Sequence, residues 1–330
     1  MKYTTLKNTF FGRFILTFTL SLTLLGSPTA MALEDVDKTL DVEPNSLIEI
    51  IHVNGSAKIS AWNEDKVRVT GELGERTEEF RFERDGNSVI IEVKVKKSKS
   101  WNWGKDNKGD RLEIFVPTKT RLEYQSINAS VRVSDIEGEA DIQVINGSVR
   151  AENLSGRIEI ESVNGDIRGT SLVGELSVSS VNGEISLKHI EGDELSVGSV
   201  NGEIEVISNA RQISVETVNG EIDLTAQDVS DVQATTVNGS IELNMNLLAN
   251  GKVRASSVSG RIDLGFQSDV SAKFDIQAHA GGSIKNRLTD DKPTKAKYGP
   301  RRSLEFSTGN PTAHVEVSTV SGHIELKERN

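Results

Sequence analysis

The sequence contains no cysteine, so disulfides, thiolate metal sites and thiol chemistry are all excluded, and stability must come from a core. Aromatic residues make up only 5 % of it. Basic residues are in deficit, with 38 Lys and Arg against 49 Asp and Glu, which argues against binding to nucleic-acid phosphates. The five histidines, His52, His189, His279, His314 and His323, are dispersed and fall in no metal-ligand spacing. Nucleophile elbow, phosphate loop and dinucleotide fingerprint are missing too, so no catalytic residue, metal or cofactor is expected. No apolar run reaches the ~20 residues of a spanning helix.

The apolar run there is, Phe14 to Leu25, follows Lys2, Lys7 and Arg13 and precedes Ala30-Met31-Ala32. That order is the pattern of a secretory signal peptide cleaved after Ala32. Removal of residues 1–32 takes the net charge from −11 to −14, through loss of the three basic residues just named. The mature protein is expected to be exported, to the periplasm or the cell surface, without a transmembrane segment.

Glycine is plentiful, at 28 residues, and nine of them belong to a repeat. Val-Asn-Gly or a close variant recurs with its Asn or Ser at Asn54, Asn128, Asn146, Asn164, Asn182, Asn201, Asn219, Asn238, Ser259 and Ser321. From Asn128 to Asn238 the steps are 18, 18, 18, 19, 18 and 19 residues, the mark of stacked units. Apolar residues alternate within each unit and change phase at the motif: Leu195-x-Val197-x-Ser199 gives way to Val200-x-Gly202-x-Ile204-x-Val206. Side chains on a strand alternate faces, so each unit is two short strands meeting at a bend.

A hairpin meander and a solenoid both use Asn-Gly between alternating apolar residues. Only the solenoid places the same residue of every coil one above the next, which accounts for the fidelity of the repeat. The expected fold is therefore all-β, a single-stranded parallel β-helix of 18–19-residue coils capped by antiparallel strands at its N-terminal end. Residues 33–120 form the N-terminal strands and cap, 121–265 the regular coils, and 266–330 the C-terminal coils, with a loop excursion at 281–302. Two inner aliphatic ladders are expected, one of Ile167, Ile185, Ile204, Ile222, Ile241 and Ile262. The other is Val163, Val181, Val200, Val218, Val237 and Val258. Asn146, Asn164, Asn182, Asn201, Asn219 and Asn238 are expected to form a structural hydrogen-bond ladder.

Several stretches resemble a bacterial β-strand-repeat family of candidate adhesins, formerly a domain of unknown function. They are Leu112-Glu113-Ile114-Phe115-Val116-Pro117, the Ser-Val-Asn-Gly-Glu-Ile copies at 180–185 and 199–204, and the closing Ser318 to Leu326. The resemblance implies a β-helical fold and an extracytoplasmic location, and brings no catalytic residues.

Two candidate sites emerge from the residues themselves. Asp166, Glu184, Glu203 and Glu221 follow Gly in four consecutive copies, an outward acidic row able to attract a cation or a basic partner, or to remain a solvated face. Trp101 and Trp103 lie among Lys97, Lys99 and Lys105, a combination suited to an envelope glycan, a lipid headgroup or a membrane protein, or to packing on the solenoid end. Export, repeats and missing catalytic motifs favour a non-catalytic binding or structural protein of the cell envelope, adhesin-like. The alternatives are a carbohydrate-active β-helix enzyme, with carboxylates along a groove, and an envelope-stress or signalling component.

Overall fold

Period-two alternation makes strands, and strands account for all the regular structure of the computed structural model, which describes residues 34–96 and 109–329. The expected signal peptide lies outside the described residues. The N-terminal part runs through β1 (Glu34–Asp41), β2 (Leu47–Trp62), β3 (Lys66–Leu73), β4 (Thr77–Asp85), β5 (Ser88–Val95), β6 (Asp110–Pro117) and β7 (Lys119–Ser134). Regular coils follow as β8 (Glu137–Asn146) with β9 (Val149–Glu152), β10 (Ser155–Asn164) with β11 (Ile167–Thr170), and β12 (Val173–Asn182) with β13 (Ile185–Ile190). The rest are β14 (Glu194–Asn201), β15 (Ile204–Ser208), β16 (Gln212–Asn219), and the continuous β17 (Ile222–Asn238) and β18 (Ile241–Phe266). Last come β19 (Ala272–Ala278), β20 (Ser283–Asn286), β21 (Thr294–Lys295), β22 (Arg302–Ser307) and β23 (Ala313–Glu328).

The coils pair in parallel, one repeat apart, as a solenoid requires. Ile167 stands in register with Ile185, Ile185 with Ile204, Ile204 with Ile222 and Ile222 with Ile241. All of these isoleucines, with Ile262 and Ile324, are at most 1 % exposed. On the longer strands Ile158, Leu176, Leu195 and Ile213 stack likewise and are buried.

The second expected ladder lies elsewhere. Val218, Val237, Val258 and Val320 are 40 %, 39 %, 46 % and 43 % exposed, and Val163, Val181 and Val200 are half-buried, so this row projects from the outside of the corner. The inner place belongs to the hydroxyl residue just before it: Ser162, Ser180, Ser199, Thr217, Thr236, Ser257 and Thr319 are all buried and stacked in register. Alternation along the longer strand carries the inward phase up to this residue and so turns the next one, the valine, outward; Val144 and His52 are buried at the same inner place in other coils, so size does not decide it. Ser162 Oγ donates across the bend to the Gly165 carbonyl at 3.3 Å and Ser126 Oγ to the Ala129 carbonyl at 3.1 Å, whereas the hydroxyls of Ser180, Ser199, Thr217, Thr236, Ser257 and Thr319 make no such bond. Inward facing resumes only at the isoleucine five residues on, so Val, Asn, Gly and the acidic residue all lie along the outer corner.

The asparagines form the expected ladder on that corner. The Nδ2 of Asn146, Asn164, Asn182, Asn201, Asn219 and Asn238 each donates to the Oδ1 one coil back, at 2.9–3.1 Å. Asn201→Ala removes two of these bonds from an exposed position and is expected to cost about 1 kcal/mol, a fall in melting temperature of roughly 2–4 °C. Differential scanning calorimetry checks this; an unchanged melting temperature would make the ladder incidental.

Both ends close in the same manner. β2 stacks in parallel on β7 and, on its other side, carries β5 and β6 as an outermost rung. Antiparallel strands cover that rung, β4 against β5, β3 against β6 and β1 against β3. At the far end β23 lies between β18 on one side and β19 and β20 on the other, while β22 covers β19 and pairs with β21, both antiparallel. Neither outermost rung is made by the first or last stretch of the stack in sequence. Antiparallel caps of this kind satisfy strand edges that would otherwise pair with other chains.

Candidate functional site

Because Ile158, Ile160, Leu176 and Val178 point inward, their neighbours on the longer strands point out, and there the surface is concave. A basin of about 570 Å³ is lined by Arg157, Glu159, Glu161, Glu175, Ser177, Ser179, Glu194 and Ser196. A second of about 270 Å³ is lined by Arg121, Glu123, Glu139, Asp141, Arg157 and Glu159. Sharing Arg157 and Glu159, the two make one groove that crosses β7, β8, β10, β12 and β14.

Close backbone approach shapes its rim. Gly156 has φ +114°, and a Cβ there would stand 2.0 Å from the Gly138 carbonyl oxygen; Gly174, at φ +116°, meets Gly156 in the same way at 2.1 Å. Only glycine tolerates that contact and that backbone. Arg157 is in register between Glu139 and Glu175, and Glu159 between Asp141 and Ser177, so the cations are outnumbered along the groove. The arrangement attracts polar and cationic groups. Reasoning centred on the acid after the Val-Asn-Gly motif misses these carboxylates, although alternation alone would place Glu159 and Glu175 outside.

The acidic row after Gly is outward as expected, and its members differ in surroundings. Asp166 and Glu184 share Arg168, at 3.2 and 3.6 Å, and the Glu184 amide donates to Asp166 Oδ1 at 3.2 Å. Glu203 and Glu221 instead join Asp223, which stands in register between Glu205 and Glu242. Burial pushes the Asp223 carboxyl up, and the charges of Glu242, Glu205, Glu221 and Glu203 push it further the same way. Among the described residues no three His, Asp or Glu side chains converge as metal ligands. Trp101, Trp103, Lys97, Lys99 and Lys105 lie outside the described residues.

Two charged clusters that spacing alone does not reveal sit at the ends. His52, in register with Ser126 of the hydroxyl row, is wholly buried, its Nδ1 3.2 Å from the Tyr124 hydroxyl and its Nε2 3.2 Å from Asp110 Oδ2. Asp110 also accepts from the Gly74 amide at 2.6 Å and the Thr77 hydroxyl at 2.8 Å. At the other end Glu325, 5 % exposed, receives Arg287 at 2.6 Å, Arg261 at 3.1 Å and Lys285 at 3.4 Å. Burial raises the Glu325 carboxyl, but Lys285, Arg287 and Arg261 outweigh it and hold the group below its usual range. Both clusters join elements far apart in sequence, which makes them clasps for the end rungs.

The family model described as Toastrack DUF4097 matches residues 46–327. No curated protein matches the chain. Among solved structures, a candidate cell adhesion protein from Clostridium sporogenes is 15 % identical, covers 90 % of this chain and 100 % of its own, and has a TM-score of 0.21. A candidate adhesin from Bacteroides fragilis is 14 % identical, with 89 % and 97 % covered and a TM-score of 0.37. A candidate lipid-binding protein from Parabacteroides distasonis is 14 % identical, with 88 % and 96 % covered and a TM-score of 0.34.

Proposed function

The chain belongs to the Toastrack DUF4097 family, and on that premise we propose that it is an exported, non-catalytic binding protein of the cell envelope, adhesin-like in mode, which holds an extended polar or cationic partner along its acidic groove. The observation that carries this reading is the continuity of the groove across five successive strands of the stack. A small substrate needs one enclosed pocket with a few convergent groups. A surface repeated from rung to rung suits a partner that is itself long, and the excess of carboxylates sets the sign of its charge. The leader-like residues 1–32 support export, and the absence of cysteine suits an oxidising compartment.

The test is a pull-down from isolated envelopes with protein comprising residues 33–330, comparing wild type with Glu159→Arg/Glu175→Arg. Enrichment of one glycan or membrane protein, lost in the charge-reversed variant and weakened by salt, is the expected result. Equal enrichment by both would remove the groove from the function. A Trp101→Ala/Trp103→Ala variant in the same experiment measures what the basic, Trp-bearing segment contributes.

A further inference from the structure

The groove has no aromatic side chain among its lining residues, but a second concavity does. It lies at the turn edge of the coils, where the N-terminal cap meets the stack, and holds about 490 Å³. Trp62, at the end of β2, forms one wall; Asp135, Glu137, Asn153, Ser155 and Ser171, from three successive coils, supply polar groups to the rest.

Trp62 is fixed before any ligand arrives. Its ring stacks on Phe115, with centroids 5.4 Å apart and planes at 29°, and its Nε1 donates to the Lys66 carbonyl at 2.7 Å. Its own carbonyl accepts from the Thr118 amide at 3.2 Å and the Thr118 hydroxyl at 3.1 Å. With the indole N–H already committed, the side chain has only apolar ring surface to offer, and offering it costs little further ordering.

The polar residues are arranged as a set. Asp135, Asn153 and Ser171 occupy the same turn position in three consecutive coils and all have left-handed backbones, at φ 66°, 54° and 54°. Asn153 Nδ2 donates to Asp135 Oδ1 at 3.0 Å, and all three residues are exposed. The result is a row of carboxylate, amide and hydroxyl at the strand spacing of about 4.8 Å beside a rigid aromatic wall.

We propose that this trough binds a pyranose ring that carries no acidic group, the ring's C–H face against Trp62 and its hydroxyls toward Asp135, Asn153 and Ser171. An aromatic plane matched with short polar side chains suits a molecule with one apolar and one hydroxylated side. The carboxylates of Asp135 and Glu137 disfavour uronic or sialic acids. The inference rests on the binding role proposed above and supplies a ligand class at a site separate from the groove.

Trp62 can report on the site directly, because Trp101→Ala/Trp103→Ala leaves it as the sole tryptophan of the mature chain. The probe is a tetramer of N-acetylglucosamine, with a tetramer of galacturonic acid as the acidic counterpart. The expected result is a saturable change in Trp62 fluorescence with a Kd of about 0.1–1 mM for the first and none for the second. In otherwise wild-type protein, Trp62→Ala is expected to weaken binding roughly ten-fold by titration calorimetry, Trp62→Phe to restore much of it, and Asn153→Ala to lower it several-fold. If Trp62→Ala does not fold, Trp62→Phe and Asn153→Ala carry the comparison. No saturable change up to about 10 mM, equal binding of the acidic tetramer, or calorimetric binding indifferent to Trp62 and Asn153 would each overturn the proposal. A silent trough together with a positive envelope pull-down would sink the sugar site and leave the groove standing; failure of both would remove the binding role as well.

Discussion

Ile204→Asp is expected to abolish the cooperative β-sheet melting transition of this protein, whereas Val200→Asp, four residues away, is expected to leave it nearly unchanged. Ile204 is fully buried, with Ile185 in register on one side and Ile222 on the other. Losing a buried aliphatic chain costs about 2–5 kcal/mol, and burying an unpaired carboxylate adds several more. That exceeds much of a typical folding stability of about 5–15 kcal/mol. Val200 projects from the outer corner, where a charge remains hydrated. Circular dichroism against temperature distinguishes the two, with Ile204→Val as a mild control at about 0.5–1.5 kcal/mol. Equal damage from both Asp variants would contradict the placement of the two rows.

That contrast also shows how far the sequence could be followed. Period, strand alternation, parallel stacking and the Asn ladder are written in residues that return every 18 or 19 positions, and each falls where the repeat puts it. The Val row deceives because alternation counts inward positions on straight strands and cannot say how many residues a corner consumes. Ser199, buried, continues the inward phase of Leu195 and Val197, so Val200 beside it is turned out, and the inward phase resumes only at Ile204. Site residues were legible only where the repeat marks them. The meeting of Asp110 with His52, Gly74 and Thr77, and the placing of Trp62 and Asn153 around one concavity, depend on how the chain leaves the stack and comes back, which leaves no periodic trace.

Asp110→Ala is expected to destabilise the protein by about 3–5 kcal/mol, a fall of roughly 10 °C in melting temperature. The carboxylate is 1 % exposed, and its loss strands the Gly74 amide, the Thr77 hydroxyl and His52 without their partner. Burial tends to raise this carboxyl, but the hydrogen bonds from His52, the Gly74 amide and the Thr77 hydroxyl prevail and keep it below its usual range. A folded-state pKa below the unfolded value, about 3.9, gives stability that is present above pH 4 and lost as pH falls through the folded value. Urea unfolding from pH 7 to pH 3 should therefore show a steep acid loss in wild type and a shallower one in Asp110→Asn. Parallel pH profiles would assign the acid loss to other carboxylates, Glu325 first among them.

The way β2 and β23 are each held inside an outermost rung bears on how the molecule can change its length. Shortening the chain from either terminus would remove a rung that another rests on, so neither end is a place where units can be gained or shed. The 18-residue coils from Asn146 to Asn182 have neighbours of the same pattern above and below, and a duplicated 18-residue segment there would find a partner on both sides. Each such insertion would move the two clasps apart by about 4.8 Å without altering either of them. The span of the protein is thus an adjustable quantity, set by the number of middle units, while its two ends are fixed fittings.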